Sequence, residues 1–208
     1  MPGPPATRDP RPVTLDGVRV RMEPLDLARH FAGLLEIGLD PDLWRWTLNE
    51  VRGDADLRRY LETALDEQSE GRSLPFATVD KASGRVAGCT RFGNIDRTHR
   101  RVEIGWTWVG RPFQRSYVNT EAKYLMLRHA FETLGCMRVE LKTHAKNLRS
   151  RNAMLRIGCT EEGTFRKHMI SERGEIRDTV FFSITDDEWP LVKARLEAMM
   201  RRDGPVST

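Results

Sequence analysis

Cysteine is scarce in this chain, with three among 208 residues: Cys89, Cys136 and Cys159. They stand far apart, are odd in number and form no Cys-x-x-Cys pair. That excludes a disulfide framework and a cysteine metal clip, and implies buried free thiols in a reducing compartment. Long hydrophobic runs are missing as well. No window approaches the ~18 apolar residues needed to cross a bilayer. Residues 1–12 hold prolines where a signal peptide would hold its apolar core. The expected location is the cytoplasm, with no membrane partner and no metal. Lysine is rare too: arginine supplies 28 of the 34 basic residues. Arginine suits bidentate phosphate or carboxylate binding, but such usage commonly reflects a whole proteome.

Hydrophobic residues make up 39% of the chain and charged residues 31%, a balance that suits a folded domain and argues against disorder. The length fits one domain with one core. A formal charge of +4 with interleaved acidic residues does not demand a nucleic-acid partner. The domain is expected over 13–203, between a proline-rich tail at 1–12 and a disordered end at 204–208.

Hydrophobic periodicity orders the elements. Residues 18–22 alternate as a first strand, 25–36 form a short helix, and Pro41 breaks the pattern after it. Residues 54–70 form a surface helix with Leu57, Leu61 and Leu65 on its buried stripe, and Gly71 ends it. Strands at 75–80 and 85–92 make a hairpin, and 99–109 adds a third strand. In that third strand strict alternation places Val102, Ile104, Trp106 and Trp108 on one face. Arg101, Glu103, Gly105 and Thr107 fall on the other, so Glu103 points away from the tryptophans.

A helix over 121–134, capped by Asn119 or Thr120 and stopped at Gly135, leads to a strand at 137–143. Strand, helix, strand implies a parallel, right-handed crossover. Asn147 caps a helix over 148–157 that Gly158 ends. Strands at 164–170 and 179–184, turning at Arg173-Gly174, complete the sheet. Thr185 and Glu188 form a capping-box pattern for a last helix with Trp189, Val192, Leu196 and Met199 on one face.

The most informative stretch is Arg115-Ser116-Tyr117-Val118-Asn119-Thr120-Glu121-Ala122-Lys123. It joins a tryptophan-rich strand to an apolar-faced helix. Unpaired first-turn amides and a macrodipole of about half a positive charge make such a helix head an anion site, with phosphate as its natural guest.

This order of elements resembles the GNAT N-acetyltransferase superfamily and, within it, the RimJ/RimL-type ribosomal-protein alanine acetyltransferases. The similar pieces are Glu103-Ile104-Gly105-Trp106, the 114–123 segment, Lys142-x-x-Ala145-x-Asn147-x-x-Ser150, Gly163-x-x-Arg166 and Arg177-Asp178-Thr179-x-x-Phe182-Ser183-Ile184. The resemblance implies one α/β (α+β) domain. Its mixed sheet of about seven strands would have a parallel, splayed pair at the centre and helices on both sides.

It also implies acetyl-CoA as co-substrate and an amine acceptor as partner, either a protein N-terminus or a small molecule. Succinyl or another acyl chain, a homodimer, a non-catalytic acyl-CoA-binding module and a basic RNA-associated protein are the alternatives carried forward. Gln114 begins the family's phosphate signature, with Tyr117 and Asn119 in its glycine positions. Cofactor contacts are therefore expected from Gln114, Arg115, Ser116, Tyr117, Val118, Asn119 and Thr120. Trp108 and Val109 would offer backbone groups to the pantetheine, and Asn147 and Ser150 would reach its chain.

Glu103 matches a strand glutamate that draws the proton off the amine through a water. Read without the resemblance, it is a solvated partner of Arg101. His168 is the second candidate base, because histidine titrates nearest neutrality. Ser150 matches a serine proposed to protonate the departing thiolate, and otherwise satisfies local backbone groups. Met169 stands where the ribosomal enzymes carry a glutamate.

Overall fold

The computed structural model describes residues 9–202. The end at 204–208 and most of the proline-rich tail lie outside the described residues. Within them the chain opens on a short hairpin, β1 (Leu15–Asp16) and β2 (Val20–Pro24), where alternation alone predicts a single strand. The Gly17 amide donates to the Val20 carbonyl at 2.9 Å and closes the turn. Helix α1 (Leu27–Gly38) starts after Asp26, whose carboxylate accepts from the Arg29 amide at 3.1 Å. Pro41 starts a four-residue helix, α2 (Pro41–Trp44). In the first helical turn its fixed φ helps and its missing N–H costs nothing.

Helix α3 (Asp54–Ser69) buries Leu57, Tyr60, Leu61 and Ala64. Strands β3 (Leu74–Asp80), β4 (Val86–Asp96) and β5 (Arg101–Val109) follow as an antiparallel meander. Next come α4 (Tyr117–Arg128), which widens into a π-helical turn at His129–Thr133, and β6 (Arg138–His144). The chain ends with α5 (Leu148–Ile157), β7 (Thr160–Ile170), β8 (Ile176–Thr185) and α6 (Trp189–Arg202). The Glu188 carboxylate accepts from the Thr185 amide at 2.8 Å, which is one half of the anticipated capping box.

The strands form one sheet in the order β1-β2-β3-β4-β5-β6-β8-β7. The two-residue β1 makes eight strands where about seven are expected. Every pair is antiparallel except β5 with β6, the crossover spanned by α4. The sheet separates two cores. On one face Val102, Ile104, Val139, Leu141 and Phe182 pack with Leu125 and Met126 of α4 and with Leu196 of α6. On the other, Ala77, Cys89 and Trp108 pack with Leu34, Trp44, Leu57 and Leu61 from α1, α2 and α3. Each Val, Leu, Ile, Phe or Met among them contributes about 1.5–3 kcal/mol on burial. All three cysteines are buried and free, and burial pushes the Cys89 and Cys159 thiols up to about 12.

Candidate active site

The parallel pair is short. Arg101, Val102 and Glu103 of β5 stand opposite Arg138, Val139 and Glu140 of β6, and beyond them the two strands share no register. The sheet thus splits at its centre, and Glu103 sits at the apex of the gap.

A bulge in β5 determines what faces that gap. Cys89 pairs with Trp108 and Arg91 with Gly105, so β5 runs three residues where β4 runs two. Trp106 takes up the excess in a left-handed backbone, φ 52°. Gly93 makes this possible, because a Cβ there would lie 2.4 Å from the Trp106 ring.

The bulge overturns the strict alternation expected for this strand. Past it Trp108 packs in the core opposite to that of Val102 and Ile104. Trp106 shares Glu103's side, with its ring 5.9 Å from the Lys142 ammonium and 4.1 Å from the Arg91 guanidinium. Thr107 turns instead toward α4, where the Lys123 ammonium donates to its hydroxyl at 2.7 Å.

Glu103 is 3% exposed and is not the solvated partner of Arg101, which pairs with Asp96 and Glu140. One carboxylate oxygen of Glu103 accepts from the Asn94 side chain at 2.6 Å and lies 2.8 Å from the Lys142 ammonium. Alternation along β6 and the His144–Thr179 register put Lys142, His144, Thr179 and Arg177 on this same sheet face.

The far wall of that face is a strap. Glu172 accepts from the Glu50 amide at 2.6 Å and the Asn49 side chain at 3.2 Å. Arg173 donates to the carbonyls of Arg45, Thr47 and Asn49 at 3.1–3.2 Å. The β7–β8 turn is thereby fastened to the segment after α2. Beside the strap a cavity of about 160 Å³ is bordered by Tyr60, Arg91, Asn49, Glu50 and Glu172. A second, of about 220 Å³, reaches Asn94 and Trp106 beside Glu103.

On the opposite side of the gap, α4 begins at Tyr117. Its cap is Ser116, whose hydroxyl oxygen accepts from the Val118 amide at 3.3 Å and donates to the Phe113 carbonyl at 2.6 Å. This corrects the expected cap at Asn119 or Thr120. Both lie inside the helix, and the Thr120 hydroxyl accepts from Arg156 at 3.1 Å. Arg115 precedes the cap in the left-handed region, φ 58°, and is exposed. Helix geometry leaves the amides of Tyr117, Val118 and Asn119 without an intrahelical acceptor, and Ser116 takes only one of them.

Tyr117 turns its ring toward β3. Its hydroxyl donates to Asp80 at 2.6 Å, and Arg19 lies 4.2 Å above the ring. Gln114 bridges the floor of the gap: its amide donates to the Val109 carbonyl at 2.7 Å and its oxygen accepts from Arg149 at 2.6 Å. Arg111, before this segment, is held by Asp40 and Asp42.

Asn147 caps α5 by accepting from the Ser150 amide at 3.1 Å. His168 lies on the exposed edge strand β7, edge-on to Phe165 and Phe181 at 5.3 and 5.5 Å, and Phe181 stands opposite Lys142 on the Glu103 face of the sheet. The fold therefore gathers Glu103, Trp108, Val109 and the 114–120 segment along one gap, with His168 on the edge strand of the same sheet.

The sequence alone assigns no role to Lys123, Lys142, Asn94 or Arg177. Lys123 carries a signal, because in a chain with only six lysines it interrupts the apolar stripe of α4. It is 7% exposed, and burial lowers its pKa to about 8.

The chain and its fold match known proteins. Residues 19–160 match the acetyltransferase (GNAT) domain. The chain belongs to the GNAT family.

A GCN5-related N-acetyltransferase from Brucella melitensis has the same fold at 33% identity and a TM-score of 0.86. The match covers 94% of this GNAT chain and 88% of that one. YdaF of Bacillus subtilis (strain 168), whose name marks it as a candidate ribosomal N-acetyltransferase, is 32% identical over 106 residues. That segment is 51% of this chain and 57% of YdaF. The chain thus aligns with little more than half of that relative. RimJ of Mycobacterium smegmatis, solved in complex with CoA-disulfide, shares the fold at 24% identity with a TM-score of 0.75. There 96% of each chain is covered. At that identity RimJ shows the shared fold.

Proposed function

We propose that this GNAT chain transfers an acetyl group from acetyl-CoA to a primary amine held on the Glu103 face of the split sheet. The observation that carries the reading is the loss of β5–β6 pairing directly after Glu103 and Glu140. Between the Trp106 carbonyl, taken by Tyr60, and the Val109 carbonyl, taken by Gln114, it leaves β5 backbone facing the gap for a pantetheine arm that lies along it as a short added strand. At the other end of the gap the spare amides of α4, with Arg115 beside them, receive the diphosphate.

The amine nitrogen attacks the thioester carbonyl, the carbon–sulfur bond breaks, and the amine's proton passes through a water to Glu103. Trp106 and the strap exclude bulk water from that face. The departing thiolate takes its proton from the Ser150 hydroxyl at the head of α5, which regains one from solvent as Glu103 gives its proton up. The Lys123 ammonium, anchored on Thr107 at the lip of the gap, is the second group able to supply it. An α-amino group, with a pKa of roughly 7.7–8.0, is already partly neutral near pH 7 and asks less of a weak base than a lysine acceptor would.

The test is thiol release from acetyl-CoA in the presence of peptides with N-terminal alanine or serine and of small primary amines. Release with at least one acceptor supports transfer. CoA binding by calorimetry without release from any acceptor selects the non-catalytic acyl-CoA-binding reading. Absence of both rejects the site.

A further inference from the structure

Arg177 belongs to a sequence motif to which the reaction above assigns no task. It is 8% exposed, and its Nε donates to the Thr179 hydroxyl at 3.1 Å. Among the described residues no carboxylate comes within ion-pair distance of its guanidinium. The acidic side chains nearest in sequence are engaged elsewhere, Glu175 with Arg173 at 3.4 Å and Asp178 with the Lys167 amide at 2.6 Å. A buried guanidinium without a counter-ion is costly, and burial depresses its pKa against the pull of Glu103.

The surroundings sharpen the imbalance. Arg177 and Lys142 share the sheet face of Glu103, and Glu103 is already committed to Lys142 and Asn94. Two buried or half-buried cations thus face one carboxylate, and the planar fork of Arg177 retains Nη donors for one more anion. His144, on the same face and edge-on to Trp46 at 5.1 Å, cannot supply that anion, and burial, followed by the nearby Arg177, lowers its pKa. A guanidinium fork matches a carboxylate with two parallel hydrogen bonds.

We propose that Arg177 binds a carboxylate carried by the acceptor itself, so that the natural acceptor is an amino-acid-type molecule with amine and carboxylate close together. This rests on the acetyl-transfer reading above. The carboxylate docks on Arg177 while the amine stands at the water beside Glu103. The added negative charge balances the cations of this face, which would repel an acceptor bearing its ammonium alone.

The experiment compares kcat/KM, corrected to neutral amine, for amino acids and for their carboxamides and decarboxylated amines, in wild type and in Arg177→Gln and Arg177→Lys. The expected result is a wild-type preference of about 10- to 100-fold for the carboxylated acceptors. That preference collapses in Arg177→Gln and is partly kept in Arg177→Lys. The KM for acetyl-CoA stays unchanged, and the rate with decarboxylated amines does not fall.

Wild-type turnover that ignores the carboxylate overturns the inference and leaves acetyl transfer standing; no turnover with any amine counts instead against acetyl transfer. Equal loss on all acceptors in Arg177→Gln assigns the residue to the fold and overturns the inference. So does a preference that tracks a succinyl over an acetyl donor, because the anion then belongs to the acyl chain.

Discussion

The ammonium of Lys142 stands 2.8 Å from the carboxylate of Glu103, inside the split of the sheet and two residues past the last position at which β6 pairs with β5. Lys142 and Asn94 together set the position of the Glu103 carboxylate. Glu103→Gln keeps the shape and removes the proton acceptor. It is expected to lower kcat by about 100-fold or more, with the affinity for CoA unchanged in calorimetry. A kcat within a few-fold of wild type would move the base elsewhere.

Lys142→Met tests the same pair from the other side. It leaves Glu103 buried with Asn94 as its one remaining partner, and stability in urea is expected to fall by about 3 kcal/mol. Adding Glu103→Gln should recover most of that loss, because the orphaned charge is then gone. Additive losses in the double variant would show that the two side chains do not act as a pair.

Lys123 gives a pH signature of stability. Its pKa in the folded protein is lowered to about 8, first by burial, from an ordinary 10.5. The folded state therefore holds fewer protons than the unfolded state between those values, and stability rises with pH across that window. Below pH 8 the cost of the buried charge is present in full, at most about 3 kcal/mol. Lys123→Met is expected to be more stable than wild type at pH 7, with the advantage shrinking from pH 8 to 10.5. A gap that stays constant with pH would mean that Lys123 is not a buried cation.

At the helix head, stability and binding should move in opposite directions. Arg115 holds a left-handed backbone at φ 58°, so Arg115→Gly relieves strain and is expected to raise stability by less than about 1 kcal/mol. The same change removes a cation beside the spare amides. CoA affinity is expected to fall about 5-fold at low salt and less at high salt. Ser116→Ala should cost about 1 kcal/mol as the loss of the true cap. Asn119→Ala should cost less than that.

Much of this arrangement is legible in the residues. The parallel crossover follows from a strand, a helix and a strand in sequence, and Asn147 and Gly158 mark both ends of α5. The cap of α4 is not legible, because Asn119 and Thr120 have cap chemistry too, and only the extended backbone of Ser116 decides between them. Periodicity puts the tryptophans on the wrong face because one residue of excess in β5 flips everything beyond it. Gly93 makes that bulge possible from the neighbouring strand, a relationship that no period within β5 contains. Lys142 and Arg177 approach Glu103 through cross-strand register, which emerges only when β6 and β8 are paired.

The central claim is that the gap between β5 and β6 receives acetyl-CoA along the open backbone of β5 and at the head of α4. Amide hydrogen exchange with and without saturating acetyl-CoA tests it most directly. Slower exchange is expected in residues 106–110 and 115–120, with little change in β2, β3 and α6. Binding that protects other segments and leaves these two untouched would contradict the account.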